Sequence, residues 1–130
     1  MTKGRIYIAC RWTRKDAARA AAALLTAAGY QVTASWIDSH GDTDNGGEIR
    51  QQAEQDVKEI KEADFFMFLN HEEPSEGKSF ELGLAFGWGK PILFVGPLSR
   101  YNVFYFLPGV CHWQATTVEQ SIKILDSGVV

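Results

Sequence analysis

Short apolar runs alternate along this chain with longer stretches whose apolar residues recur at helical spacing. Arg5 to Cys10 (Arg-Ile-Tyr-Ile-Ala-Cys) reads as a buried first strand. The alanine-rich run Ala17 to Ala28 predicts a helix beginning near Lys15 or Asp16. Thr13 is placed to cap it, and Gly29 to stop it. Gln31 to Ile37 reads as a second strand, and Asp38 to Gly47 as a polar loop. Glu48 to Glu62 predicts a second helix, with Ile49, Ala53, Val57 and Ile60 as its apolar stripe. Next come an apolar strand (Phe65 to Leu69), a polar loop (Asn70 to Lys78) and a helix carrying Phe80-Glu81-Leu82-Gly83. Pro91 to Val95 reads as a fourth strand, with Pro91 in the tolerated first position. Gly109 to Trp113 is a short fifth strand. Thr117 to Leu125 closes the chain as a helix with Val118, Ile122 and Leu125 inward.

Strands alternating with helices predict an α/β fold: a parallel sheet with helices on both faces. The expectation is one domain over 1–130, with a doubly wound, flavodoxin-like five-stranded sheet in the order 2-1-3-4-5. The stretch Ala63 to Val95 is strand, loop, helix, strand in about thirty residues, the size of one βαβ unit. Ligands of such sheets bind outside the carboxyl ends of the strands. The loop holding Ser75 and Gly77 is therefore the expected floor of a site.

Composition narrows the function. The formal net charge is −3, so there is no basic surplus to neutralise the phosphates of a nucleic acid. No apolar run approaches the roughly 20 residues that span a bilayer. Met1 to Arg5 runs straight into a strand rather than forming a leader. Cys10 and Cys111 sit in apolar surroundings and read as reduced thiols, which fits a cytoplasmic protein. The aspartates and His40 of the loop from Asp38 to Gly47 do not fall in a calcium-loop register, and the loop reads as a solvated lid. Glu76-Gly77-Lys78-Ser79 contains a Gly-Lys-Ser tripeptide but lacks the upstream glycine of a P-loop.

Two carboxylates stand out. Glu81 lies in the first turns of its helix, where the dipole lowers a carboxyl pKa and keeps it ionised, as a nucleophile requires. The same position also serves simply to complement the dipole. Asp56 borders the apolar stripe of the second helix, where burial raises a carboxyl pKa. Two carboxyls with separated pKa values are the mark of a glycosidase-like pair, one nucleophile and one acid. Tyr7 is mid-strand, either in the core with a satisfied hydroxyl or along the site.

Tyr7, Gln55-Asp56 placed eight residues before Ala63-Asp64, the segment Ser75-Glu-Gly77-Lys-Ser79-Phe-Glu81-Leu-Gly83-Leu-Ala85 and Gly89-Lys90-Pro91 together resemble the nucleoside 2-deoxyribosyltransferase family. That family includes the related 2′-deoxynucleoside 5′-monophosphate N-glycosidases. The resemblance covers nearly the whole chain. It implies that Glu81 attacks the anomeric carbon, Asp56 helps protonate the base, and Tyr7 orients the glutamate. It also implies that Asp64, Ser75 and Gly77 surround a nucleoside or nucleotide, to which Arg11 and Trp12 are added as candidates from their place at the carboxyl end of the first strand. Asn102 looks like a residue lent to the neighbouring subunit's site. No metal or organic cofactor is implied. Cys10-Arg11-Trp12 departs from the small residues of many members.

The leading expectation is cleavage or transfer at an N-glycosidic bond through a glycosyl-glutamate. The alternatives are a TIR-like NAD glycohydrolase and a non-catalytic nucleotide-binding module on the same fold. The aromatic segment Tyr101 to Leu107 predicts a homodimer or higher homo-oligomer. The 5′ end of the substrate stays open. Ser75, Gly77 and Arg11 suit a phosphate, whereas Glu72, Glu73, Glu76 and Asn102 suit a bare nucleoside.

Overall fold

In the computed structural model five strands make one parallel sheet in the order β2-β1-β3-β4-β5. They are β1 (Arg5–Ala9), β2 (Gln31–Val32), β3 (Phe65–Leu69), β4 (Ile92–Val95) and β5 (Trp113–Ala115). The structure describes residues 2–38, 46–71, 75–97, 103–110 and 112–130. The helices are α1 (Lys15–Ala27), α2 (Gly46–Glu62), α3 (Glu76–Gly87) and α4 (Val118–Asp126). α1 packs with α4, and α2 with α3, so both sheet faces are covered. That coverage is why β3 and β4 read as unbroken apolar runs rather than alternating ones. The register sets Tyr7 opposite Phe66 and Phe66 opposite Ile92, and the Tyr7 and Phe66 rings stack 5.8 Å apart. Among the described residues, no helix is long and apolar enough to cross a membrane.

The sheet order and the expected elements are present, but several boundaries move. The second strand stops at Val32, and Ser35–Asp38 turns into a short 3-10 helix. The cause is competition for the backbone. The Ser35 N–H donates to the Glu59 carboxylate at 3.0 Å, and the Trp36 indole N–H donates to the Ile8 carbonyl at 2.9 Å. Thr13 does not cap α1. It lies in a 3-10 turn, Trp12–Arg14, closed by the Arg14 N–H on the Arg11 carbonyl at 2.8 Å. The fifth strand begins only at Trp113, because Gly109 has φ +90° and the Val110 N–H closes a turn onto Leu107. Pro91 stands just before β4 and contributes its carbonyl to the Phe66 N–H. α2 starts two residues early, at Gly46, and its stripe is buried only at the far end: Ile49 is exposed while Ile60 is fully buried. α3 starts at Glu76, so Gly77 and Lys78 are helical rather than loop residues. The Ser75 hydroxyl accepts the Lys78 N–H, a capping contact generally worth about 1 kcal/mol. Expectations for His40, Glu72, Glu73, Tyr101, Asn102 and Cys111 fall outside the described residues.

The Gly89-Lys90 pair is explained by the chain's own needs. Gly89 has φ +69° just past the end of α3. The Lys90 ammonium donates to the Lys61 and Ala63 carbonyls, 2.7 Å each, serving acceptors at the carboxyl end of α2. At Gly96, φ is +109° and an added Cβ would lie 2.3 Å from the Asn70 carbonyl oxygen. Gly96→Ala should destabilise the fold by more than about 2 kcal/mol, combining backbone strain with a contact to backbone that has little room to retreat. Urea unfolding checks it: the midpoint should fall sharply with the slope unchanged.

Candidate active site

The chain leaves β1 to make β2 on one side, then returns to make β3 on the other. The crevice between the carboxyl ends of β1 and β3 is thus the switch point where doubly wound sheets bind ligands. A cavity of about 330 Å³ opens there. Its wall takes Cys10 and Trp12 from the end of β1, Trp36 from the 3-10 turn, Gln52 and Asp56 from α2, and Ser75, Gly77, Lys78 and Glu81 from α3.

Tyr7 and Glu81 meet beside this cavity. Tyr7 is wholly buried at the centre of the sheet, and its O–H donates to a Glu81 carboxylate oxygen. Burial and the adjacent Glu81 and Asp56 charges push the tyrosine pKa up, so the phenol keeps its proton and acts only as a donor to the carboxylate. Asp56 sits one helix away with Oδ1 accepting from the Gln52 amide at 2.7 Å, an i,i+4 pair on the cavity side of α2. Behind it is a third acid. Glu59 is buried, accepting from the Ser35 N–H and, at 3.1 Å, from the Gln55 amide.

The protonation pattern corrects the sequence expectation. Glu81 is the sixth residue of α3, past the first turn where the dipole acts. Burial instead raises its pKa to about 8, aided by the Asp56 and Glu59 charges and opposed by the Tyr7 hydrogen bond. Asp56 is raised as expected, by burial and by Glu59, to about 6, with the Gln52 bond opposing. The two pKa values are separated, but in the reverse order: at neutral pH the proton rests on Glu81. Cys10 is pushed up to about 12 by burial and is a thiol, not a thiolate nucleophile, at neutral pH.

The other expected site residues divide. Trp12 lines the cavity beside Trp36, ring centroids 6.1 Å apart, with the Lys15 ammonium 3.7 Å from its indole. Ser75 and Gly77 line it through the first turn of α3. Arg11 follows β1 but is not part of the cavity wall. Asp64 is not brought to the site. It lies at the amino end of β3, where its carboxylate takes the Arg5 N–H at 2.9 Å. Sequence reading missed Trp36, Gln52, Glu59 and Lys78. Gln52 was within reach of it, being four residues before Asp56 on the same helix face. Trp36 and Lys78 were hidden by the misplaced ends of β2 and α3.

A doubly wound parallel sheet with two carboxyl groups and a tyrosine at its switch point defines a class of α/β proteins built around a carboxylate site. Within that class, the chain belongs to the nucleoside 2-deoxyribosyltransferase family, which it matches over residues 6–125. Three solved structures share the fold. A 2-deoxyribosyltransferase of Bacillus psychrosaccharolyticus superposes with TM-score 0.70 at 16% identity, covering 91% of this chain and 90% of that one. A CMP N-glycosidase of Clostridium botulinum gives TM-score 0.63 at 20% identity, over 95% and 98% of the two chains. A conserved protein of Enterococcus faecalis gives TM-score 0.63 at 14% identity over 99% of each chain. No curated protein sequence matches the chain.

The raised carboxyls have a measurable effect on stability. The folded-state Glu81 pKa of about 8 lies above the ordinary carboxyl value, so the folded form binds more protons across that interval. Its contribution is fully present below the unfolded pKa and is lost as pH rises through 8. Glu81→Gln keeps a Tyr7 acceptor without the charge. Its melting temperature should exceed wild type by a margin that widens from pH 5 to pH 9. Parallel melting curves across that range would contradict the assignment.

Proposed function

We propose that the protein cleaves or transfers the N-glycosidic bond of a nucleoside or nucleoside 5′-monophosphate, with Glu81 as the nucleophile. The observation that carries this reading is the Tyr7–Glu81 hydrogen bond beside the switch-point cavity. It fixes one carboxylate oxygen of a side chain that lines the cavity, and the other oxygen is free of that bond. In the proposed step the second oxygen attacks the anomeric carbon, and the bond to the base nitrogen breaks with its electron pair leaving on the base. Asp56, across the cavity, supplies the proton to the departing base. The glycosyl ester on Glu81 then falls to water or to a second base, whose proton returns to Asp56. The Trp12 and Trp36 rings supply apolar faces for the base, and Gln52 offers an amide to its edge. The chemistry is carried by protein side chains alone and takes place in the cytoplasm.

The reaction needs the Glu81–Asp56 pair to hold one proton between them, and that proton must pass from Glu81 to Asp56 before the attack. With pKa values of about 8 and 6, the free pair holds one proton between those limits. kcat/KM should therefore plateau there and fall about tenfold per pH unit on either side. Glu81→Ala should abolish base release with the fold intact. Asp56→Asn should cut the rate by about 10²–10⁴ and abolish the alkaline fall, leaving a profile that rises with pH and levels off. Chromatography of released base across pH gives both readings. Wild-type release by Glu81→Ala, or an unchanged alkaline limb in Asp56→Asn, would overturn these roles.

The assembly proposed is a homo-oligomer, with Asn102 serving a neighbouring site. Its support is apolar surface: Phe80, Val103, Phe104, Phe106 and Leu107 are all exposed on the monomer. Light scattering at micromolar concentration should give at least twice the monomer mass, and Phe104→Asp should reduce it.

A further inference from the structure

Glu59 takes no part in the proposed bond breaking, yet it is only 5% exposed and stands on α2 within one turn of Asp56. Its two oxygens have separate partners. Oε1 accepts the Ser35 N–H at 3.0 Å, which ties the turn bearing Trp36 to α2. Oε2 accepts the Gln55 amide at 3.1 Å. Both oxygens accept, as those of an ionised carboxylate do. A neutral amide in this place would serve the turn as well. Its oxygen would take the Ser35 N–H, and Gln55 would rotate its own amide to accept from the new NH₂ group. The charge is therefore surplus to the clamping of the turn, and burying it is costly unless something compensates. None of the ion pairs among the described residues engages it.

What faces that charge is the catalytic pair. Asp56 precedes it on α2, and Tyr7 on β1 and Glu81 on α3 complete the cluster through their hydrogen bond. The negative charge of Glu59 acts on all three side chains, favouring the protonated form of each. Burial is the larger effect at each, and Glu59 works in the same direction. The 3-10 turn meets Glu59 with the Ser35 N–H, while its own acid, Asp38, is exposed. α3 also brings a cation, Lys78, whose ammonium donates to the Asn70 side-chain oxygen at 3.3 Å and acts on the Cys10 thiol. Arg14, beyond β1, acts on the same thiol.

We infer that Glu59 is a positioning residue for the reaction, acting on the Glu81–Asp56 pair through the negative charge it keeps buried behind them. The inference rests on the proposed glycosidic chemistry, in which that pair must hold one proton when the substrate binds. Two neighbouring carboxyl groups hold one proton over a pH range that their surroundings set. A third charge that is not exchanged in the reaction carries both ends of that range upward. Glu59 thus brings the working range to neutrality, where the same pair without it would work in more acid solution.

The test compares wild type, Glu59→Gln and Glu59→Asp in pH profiles of kcat/KM, with released base read by chromatography. Glu59→Gln keeps an acceptor for the turn and removes the charge. Both limbs of its profile should move to lower pH by about half a unit or more. A half-unit displacement makes the variant about threefold faster than wild type at pH 5 and about threefold slower at pH 9, each relative to its own plateau. Glu59→Asp keeps the charge and withdraws it by one methylene, so its limbs should return most of the way to the wild-type positions. A merely structural role would lower the whole profile and leave both limbs in place, which overturns the inference. So do limbs in Glu59→Asp that coincide with those of Glu59→Gln. Carboxyl NMR titration reads the same effect without substrate: the Glu81 and Asp56 signals of Glu59→Gln should titrate at lower pH than those of wild type. If that variant does not fold, wild type decides alone. Its Glu59 carboxyl signal should respond as the pair titrates near pH 6 and 8, and a flat signal there overturns the inference. The two proposals fail separately. Base release with unmoved limbs keeps the reaction and removes the role of Glu59. Displaced carboxyl titrations without any base release keep the action of Glu59 on the pair and remove the reaction.

Discussion

The hydrogen bond from Tyr7 to Glu81 is the contact on which the arrangement of the site depends. One partner is anchored at the centre of the sheet, where every neighbouring strand residue is buried. The other projects from a helix packed on that sheet. The bond thus ties a catalytic candidate to the most rigid part of the molecule. It also favours the charged form of a carboxyl whose burial favours the neutral one. The surroundings exact that tension deliberately: a well-solvated glutamate would be ionised but hydrated, and a poor nucleophile for want of desolvation.

The supports around this contact come from residues with no direct chemistry. Glu59 holds the turn bearing Trp36 against α2, so a wall of the cavity and the helix carrying Asp56 move as one. Lys90 fastens the end of α2 to the entry of β4. Gly96 lets the chain pass the Asn70 carbonyl, and the Asn70 side chain in turn receives the Lys78 ammonium. The Ser35 N–H and the Lys61 and Ala63 carbonyls are backbone groups that the fold must satisfy somewhere. The chain satisfies them where they also set the spacing of α2, α3 and the sheet.

Much of this was legible in the residues. The apolar runs of β1, β3 and β4 announce a sheet buried on both faces, and the alternation with helices announces parallel strands. Asp56 and Glu81 stood out by type and position and Tyr7 through the family resemblance, and the structure brings the three side chains to one crevice. What escaped was governed by side chains acting at long range. β2 looked like seven residues of strand because the Glu59 carboxylate that diverts Ser35 is 24 positions away. Lys78 looked like a loop residue because a capping serine was read as part of the loop. The sign of the Glu81 shift was missed for a related reason. Moving the helix start to Glu76 carries Glu81 beyond the reach of the dipole and leaves burial as the larger effect. Asp64 came with the family motif, but standing just before β3 in sequence it lies at the amino end of that strand, away from the crevice.

The buried carboxyl cluster also bears on how a ligand first meets the protein. Asp56 and Glu81 line the cavity with Glu59 buried behind them, and taken at face value the three would present a negative field to anything anionic approaching it. With a proton resting on Glu81 at neutral pH, that field is one charge weaker before the ligand arrives. The neutral carboxyl lowers the barrier to encounter, and the proton must leave Glu81 before that side chain can act as a nucleophile. Ligand capture and nucleophile activation are then successive electrostatic states of one side chain, and the proton given up between them makes affinity itself a function of pH.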